Sequence, residues 1–441
     1  MPSLLLRSAS LVTDAGDVVT DVLIRDGKIE KIGTGLQGDE VIDATGKLLF
    51  PGLIDCHVHF REPGLTHKAT MKSEAASARA GGVTTVCEMP NTIPPTVTVA
   101  ALADKVRRAD ALRQAQCDID MRFFFGITEP AHLSALRVLW ASGSDETERL
   151  KARCCGVKLF LDHSTGNQKI EGDLIEEVFT FCAEQKIPIV AHCEDAEMNA
   201  KALAANTDTD VAAHSRIRSP ESEQKSVAFA IELVRKTGAH LHVAHTSTSL
   251  ALELIREAKR EKLPVTCEVA PHHLVLTVDD YASLGTLAKM NPPLRTVDHR
   301  DALWQGVMDG TVDCISTDHA PHTLEEKKTG DPLKVPSGVP GVETLLPILL
   351  SISAGRWPSP SSRPPEGLHF SNADILSLCF TNPNKIFNLG KRGIKEGAPA
   401  DLVLVDTAKN WTINAKDLHS ATGWTPFEGW KLLGQVESAL S

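Results

Sequence analysis

Asp55-Cys56-His57-Val58-His59 sets two histidines one residue apart at the end of a short apolar run. Side chains alternate faces along a strand, so His57 and His59 point the same way and their imidazoles can share one metal ion. On a helix the two rings would lie about 200° apart and could not converge. Taken alone, a His-X-His pair reads equally well as two satisfied polar residues near a sheet edge. Further polar residues at the ends of later apolar runs change the balance: Lys158, His192, His245 and Asp318. Imidazoles with a carboxylate form a ligand set for a borderline ion such as Zn²⁺. Lys158 is the odd member, set inside Cys155-Gly156-Val157-Lys158-Leu159-Phe160-Leu161. A cation there is disfavoured, and burial lowers a lysine's pKa. The neutral amine can add CO₂ to give a carbamate, an anionic oxygen ligand able to bridge two ions. The plain alternative is a lysine that snorkels outward or pairs with a glutamate.

These residues need a scaffold that brings many strand ends to one place. Residues 51–390 alternate short β-branched runs with helical stretches. Strands are expected at 53–59, 84–89, 121–126, 156–161, 188–192, 240–245, 265–269 and 312–318. Helices are expected between them, among others at 68–80, 174–184, 221–237 and 250–261. Eight β-α repeats fit an α/β fold of the (β/α)8 TIM-barrel type, in which all strand ends share one mouth. The alternative, an open doubly wound sheet, lacks the Gly-rich phosphate loop after its first strand. Residues 1–50 read as short strands with tight turns, Asp26-Gly27 among them, and residues 400–406 read alike. Neither end can close a sheet alone. The expected organisation is a composite β-sandwich domain from 1–50 and 391–441 around a catalytic barrel at 51–390.

The 441 residues carry a net charge of −11, which argues against a general nucleic-acid or anionic-membrane binder. No apolar run is long enough to span a bilayer, and the first residues lack a signal-peptide pattern. Ten scattered cysteines without a C-x-x-C suggest reduced thiols, hence an expected cytoplasmic location. Cys56 and Cys193 neighbour candidate ligands, but alternation turns them away, so both read as packing residues.

The ordered motifs resemble the amidohydrolase superfamily, and more closely its dihydroorotase family. They comprise Asp55-Cys56-His57-Val58-His59-Phe60-Arg61-Glu62-Pro63-Gly64, Met89-Pro90-Asn91-Thr92, Gly156-Val157-Lys158 and Ala191-His192-Cys193-Glu194. They continue with Val243-Ala244-His245-Thr246-Ser247, Ala270-Pro271-His272-His273, Met290-Asn291-Pro292-Pro293-Leu294-Arg295 and Ser316-Thr317-Asp318-His319-Ala320-Pro321-His322. The set closes with Gly338-Val339-Pro340-Gly341-Val342-Glu343-Thr344. The resemblance implies two Zn²⁺ per chain: one held by His57, His59 and Asp318, the other by His192 and His245, with carbamylated Lys158 as the bridge. The bridge is a carbamate in some members and an aspartate in others; Lys158 fits the former, and Asp162 is the alternative. A bridging hydroxide would be the nucleophile and Asp318 the general acid/base.

The implied substrates are N-carbamoyl-L-aspartate and L-dihydroorotate, interconverted by closing or opening a cyclic amide in pyrimidine synthesis. Two divalent ions less carbamate, Asp318 and hydroxide leave about +1 at the mouth to receive an anion. Arg61 can grip a carboxylate in bidentate fashion. By resemblance Asn91 and His322 complete that grip, while Asn291 and the small-residue turn at 336–341 meet the ring amides. An allantoinase, or a dihydropyrimidinase or hydantoinase, would share the metal set without needing Arg61; an inactive scaffold is the other alternative. A homodimer is expected from resemblance. Residues 323–334 read as a mobile loop over the site or a plain surface linker. His163 and His319 are expected to orient neighbours, His272 and His273 to be structural or to support the ligands, and His67, His214, His240 and His242 to be ordinary.

Overall fold

The computed structural model describes residues 2–114, 119–162 and 168–440. The chain opens with strands β1 (Leu4–Thr13), β2 (Gly16–Arg25), β3 (Lys28–Gly33), β4 (Glu40–Asp43) and β5 (Lys47–Pro51). β2 turns into β3 at Asp26-Gly27, whose φ angles of 50° and 69° are those of a tight hairpin turn. Eight strands follow: β6 (Leu53–Val58), β7 (Val83–Glu88), β8 (Asp120–Gly126), β9 (Cys154–Phe160), β10 (Ile189–His192), β11 (Leu241–Val243), β12 (Val265–Val269) and β13 (Cys314–Ile315). Each pairs in parallel with the next in chain order.

The sheet closes into the expected barrel at the β6–β13 seam. Val58 and His319 form a parallel bridge, and the His59 N–H donates to the His319 carbonyl at 2.8 Å. Asp55 ties the same seam, accepting from Thr317 N at 3.1 Å and Thr317 Oγ1 at 2.5 Å. Strands such as β6 and β7 are buried at every position, as a parallel sheet wrapped by helices requires. The four helices named from the sequence span Met71–Ala80, Leu174–Gln185, Pro220–Thr237 and Ser249–Arg260. Ser249–Arg260 buries Ala251, Leu252, Ile255 and Ala258 as one apolar stripe, and Thr248 caps it by accepting from Ala251 N. Met71–Ala80 begins three residues later than expected because Thr70 and Ser73 form a capping box. That leaves residues 61–70 as a loop at the barrel mouth.

β14 (Leu402–Thr412) and β15 (Lys431–Leu440) complete a seven-stranded sheet of order β15-β14-β5-β1-β2-β3, with β4 on β1. Both chain ends thus build one unit, which packs a small core of Leu6, Val22, Ile24, Ile29, Leu49, Leu402 and Leu404. β15 has no counterpart in the sequence reading because its exposure alternates only loosely. The chain passes from this sheet to the barrel through Gly52. A Cβ there would lie 2.0 Å from Thr84 Oγ1 and 2.1 Å from Asp401 Oδ1, so any side chain would force both of those to shift. No helix among the described residues is long and apolar enough to cross a membrane.

Residues 323–334 differ from the expected mobile loop or linker. They contain the helix Leu324–Lys328, started by a Thr323–Glu326 capping box. Lys327 is fully buried and donates to the carbonyls of Lys289 (2.8 Å), Pro336 (3.1 Å) and Gly338 (3.0 Å). A desolvated ammonium needs all of those acceptors, and they fix the segment against the barrel.

Candidate active site

The six expected ligand residues gather at the C-terminal ends of β6, β9, β10, β11 and β13, the end of such barrels where catalysis sits. Nε2 of His57 lies 3.5 Å, and Nε2 of His59 3.1 Å, from Asp318 Oδ1. Ligand atoms of these three residues all lie within 4.8 Å of one another. The His245 ring centroid is 5.1 Å from His57 and 4.8 Å from His192. His245 and Asp318 lie just past their strands, with φ of 32° and 46°, and Arg61 has φ of 65°. Three non-glycine residues in left-handed backbone at one mouth are strain that the surroundings must hold, which is common at functional sites.

Two buried glutamates that the sequence reading did not assign orient this cluster. Glu268, on β12, accepts from His57 Nδ1, from His242 Nε2 at 3.2 Å and from His245 N at 3.1 Å. His57 is therefore committed to presenting Nε2. Glu194 faces His192 Nε2 at 2.8 Å, and Arg218 Nη2 holds both Glu194 (2.6 Å) and Asp162 (2.8 Å). Both glutamates carried a signal. Glu268 interrupts the apolar run Val265–Val269 as Lys158 interrupts its own, and Glu194 shares a face with His192 by strand alternation. His242, taken as ordinary, is a partner of Glu268. His214, also taken as ordinary, lies 2.8 Å from Asn291 Oδ1 through its Nε2. His319, expected to orient neighbours, has Nε2 on Glu74 at 2.7 Å and Nδ1 accepting from Gly341 N at 3.0 Å. His163 lies outside the described residues.

Burial favours the uncharged forms throughout. It lowers the pKa values of His57, His59 and His245, and that of Lys158 to about 8, although Glu268 and Asp318 pull Lys158 upward. Burial raises Asp318 against the pull of His57 and Lys158. Neutral imidazoles are the forms that ligate metals, and the lowered pKa gives Lys158 a larger neutral fraction than a free lysine with which to take up CO₂. Among the described residues, Lys158 Nζ and His245 Nδ1 are buried with no hydrogen-bond partner. Orphaned polar atoms are rare in protein interiors, and these two beside a His₂Asp cluster fit the chemistry of a cation-binding centre. Asp162 differs, since its Oδ2 is bound by Arg218 and by Asn199 at 2.7 Å. A second compact group, Cys56, His242 and Cys314, reads as packing. Both His242 nitrogens are engaged, by Thr266 and Glu268, and burial pushes both thiols up.

A small cleft opens over the cluster. Arg61, Asn91, Asn291 and the turn Ser337-Gly338 line it together with His57, His59, His192, His245 and Asp318. Gly338 has φ of 139°, and a Cβ on it would lie 2.6 Å from the Ala320 carbonyl, so the close approach of this turn requires glycine. Asn91 Oδ1 is 2.6 Å from His59 Nδ1 and Asn291 Oδ1 is held by His214. Asn291, its oxygen spent on His214, has its amide nitrogen to offer the cleft. His322 does not line the cleft. It is fully buried behind Arg61, with Nε2 3.1 Å from Arg61 Nη2 and 3.1 Å from the Ser337 carbonyl.

The amidohydrolase family profile matches residues 48–432. The chain is 39% identical to a dihydroorotase of Halobacterium salinarum, over 93% of this chain and 89% of the relative. It is 36% identical to a dihydroorotase of Methanosarcina acetivorans, over 97% and 89%. Among solved structures it resembles an L-hydantoinase (dihydropyrimidinase) from Arthrobacter aurescens, with a TM-score of 0.87, 27% identity and coverage of 99% and 94%. It resembles a dihydropyrimidinase from Brevibacillus agri with a TM-score of 0.85 and 26% identity, covering 100% and 94%.

Proposed function

The chain belongs to the amidohydrolase family, and from that premise we propose that it is a dihydroorotase, interconverting N-carbamoyl-L-aspartate and L-dihydroorotate. The observation that carries this reading is Arg61, a buried guanidinium in the wall of the cleft that also holds the His and Asp cluster. Its Nε is fixed by the Pro321 carbonyl at 2.9 Å, which leaves the Nη end to meet a carboxylate. Dihydroorotate carries that carboxylate; dihydrouracil and hydantoin do not.

In this reading His57, His59 and Asp318 would hold one Zn²⁺ and His192 and His245 a second, with carbamylated Lys158 as a further ligand. Bound there, such ions would polarise the scissile carbonyl and acidify water. The chain's own groups do the rest. Arg61 and Asn91 orient the carboxylate, and Asn291 and the Ser337-Gly338 backbone meet the ring amide. Asp318 takes a proton from attacking water and delivers it to the departing ring nitrogen, and the reverse sequence closes the ring. Burial raises the Asp318 pKa, which suits a carboxylate that must gain and lose a proton. The expectations of a homodimer and a cytoplasmic location belong to the same proposal; sedimentation of the purified chain tests the first.

The second reading is a cyclic amidohydrolase of the hydantoinase type, favoured by the backbone likeness to those structures. Turnover of L-dihydroorotate, dihydrouracil, hydantoin and allantoin separates the two when metal content is assayed on the same sample. Ring opening confined to dihydroorotate, with about two metals per chain, supports the proposal. Preference for dihydrouracil or hydantoin overturns it in favour of the second reading.

A further inference from the structure

Lys68 lies in the loop between β6 and Met71–Ala80, outside every motif assigned a role above. Its side chain is about nine-tenths covered, and its ammonium meets two partners, Glu326 Oε1 at 3.0 Å and His322 Nδ1 at 2.9 Å. Glu326 is itself fixed as the capping-box residue of Leu324–Lys328. An ammonium can only donate, so Nδ1 of His322 must accept and its proton must sit on Nε2. That proton goes to the Ser337 carbonyl, 3.1 Å away. Arg61 Nη2 lies equally close to Nε2, and with Nε2 protonated it has no lone pair there to bond.

We infer that Lys68 is a positioning residue for substrate recognition: by fixing the tautomer of His322 it keeps the Nη donors of Arg61 unspent and directed into the cleft. Without Lys68 the imidazole is free to carry its proton on Nδ1. Nε2 then accepts from Arg61 Nη2, and the guanidinium is drawn back against the wall. This inference rests on the dihydroorotase reading only for the identity of the anion.

The test compares wild type with Lys68→Met and Lys68→Arg, using L-dihydroorotate kinetics and ¹⁵N-histidine NMR of the metal-loaded protein. The His322 resonances are assigned by a His322→Gln variant. Expected for Lys68→Met are a KM for dihydroorotate about tenfold or more higher, kcat within a few-fold of wild type, and a His322 shifted toward the Nδ1–H tautomer. Lys68→Arg should restore most of both. An Nε2–H tautomer that persists in Lys68→Met, or an unchanged KM, overturns the inference. If wild type does not open dihydroorotate, the dihydroorotase reading fails, and the tautomer spectrum alone still decides whether Lys68 sets the state of His322.

Discussion

Asp318 and Arg61 line one cleft, and the proposed function gives them separable tasks. Asp318→Asn keeps the shape and one ligating oxygen but cannot accept a proton. Its kcat should fall about 10²–10⁴-fold with bound metal partly retained, read by turnover together with metal analysis of the same preparation. Wild-type-like rates would sink the proton role. Arg61→Ala removes a charge-assisted pair worth about 1.5–3 kcal/mol. The KM for dihydroorotate should rise about 10–100-fold with a smaller effect on kcat, and an unchanged KM would remove Arg61 from the carboxylate site. These residues were legible in the sequence because each is chemically out of place: histidines at strand ends, a lysine in an apolar run, an arginine just past a strand. His322 shows where that logic stops. Resemblance gives it to the substrate carboxylate, whereas its own contacts are with the Arg61 guanidinium and the Ser337 carbonyl, each 3.1 Å from Nε2, which no spacing in the chain announces.

At the scale of elements, the cluster depends on strands that contribute no ligand of their own. β12 supplies Glu268, which reaches His57 of β6 and the backbone of His245 after β11. Glu268 sits well below the usual carboxylate range: burial opposes its charge, and His57 and His242 outweigh that opposition. Glu268→Gln keeps the volume but weakens the acceptor. The affinity of the centre for Zn²⁺ should drop about 10–100-fold, measured by competition with a chelating dye on protein whose fold is verified by circular dichroism, since loss of the depressed carboxylate also lowers the thermal midpoint of the metal-free chain. Equal affinity in the variant would mean that His57 is oriented by packing alone. The strands themselves were readable as β-branched runs and the helices as periodic stripes. Their ends were less so: helix Met71–Ala80 starts where a Thr-Ser capping box forms, and β13 is only two residues long, with Asp318 in left-handed backbone three residues past it.

The whole molecule is held together where the barrel meets the sheet built from both chain ends. Asp120, at the start of β8, takes both Arg122 Nε (2.9 Å) and Nη2 (2.8 Å) and faces Lys391 at 3.2 Å. Lys391 also reaches Asp401, which leads into β14. Burial opposes the Asp120 charge, but Arg122 and Lys391 prevail and hold its carboxyl well below the usual range. A depressed carboxyl adds stability that is present above its unfolded value of about 3.9 and is lost as pH falls through the folded value. Asp120→Asn should therefore lower the thermal midpoint at pH 7, by a free energy of about 1–3 kcal/mol. The gap to wild type should narrow as pH drops below about 4. A gap independent of pH would assign the loss to packing instead.

The sequence alone determined the chemistry and the repeat. Residue type fixes what can ligate, donate or transfer a proton, and the β-α rhythm with polar strand ends specifies a barrel, because apolar periodicity is local information. What only the tertiary structure decided were the pairings across long chain separation: Asp55 with Thr317, His57 with Glu268 and Lys68 with His322. Such contacts depend on which strand ends and loops become neighbours when the sheet closes. A hydrogen bond between residues some 200 positions apart leaves no spacing in the chain to read.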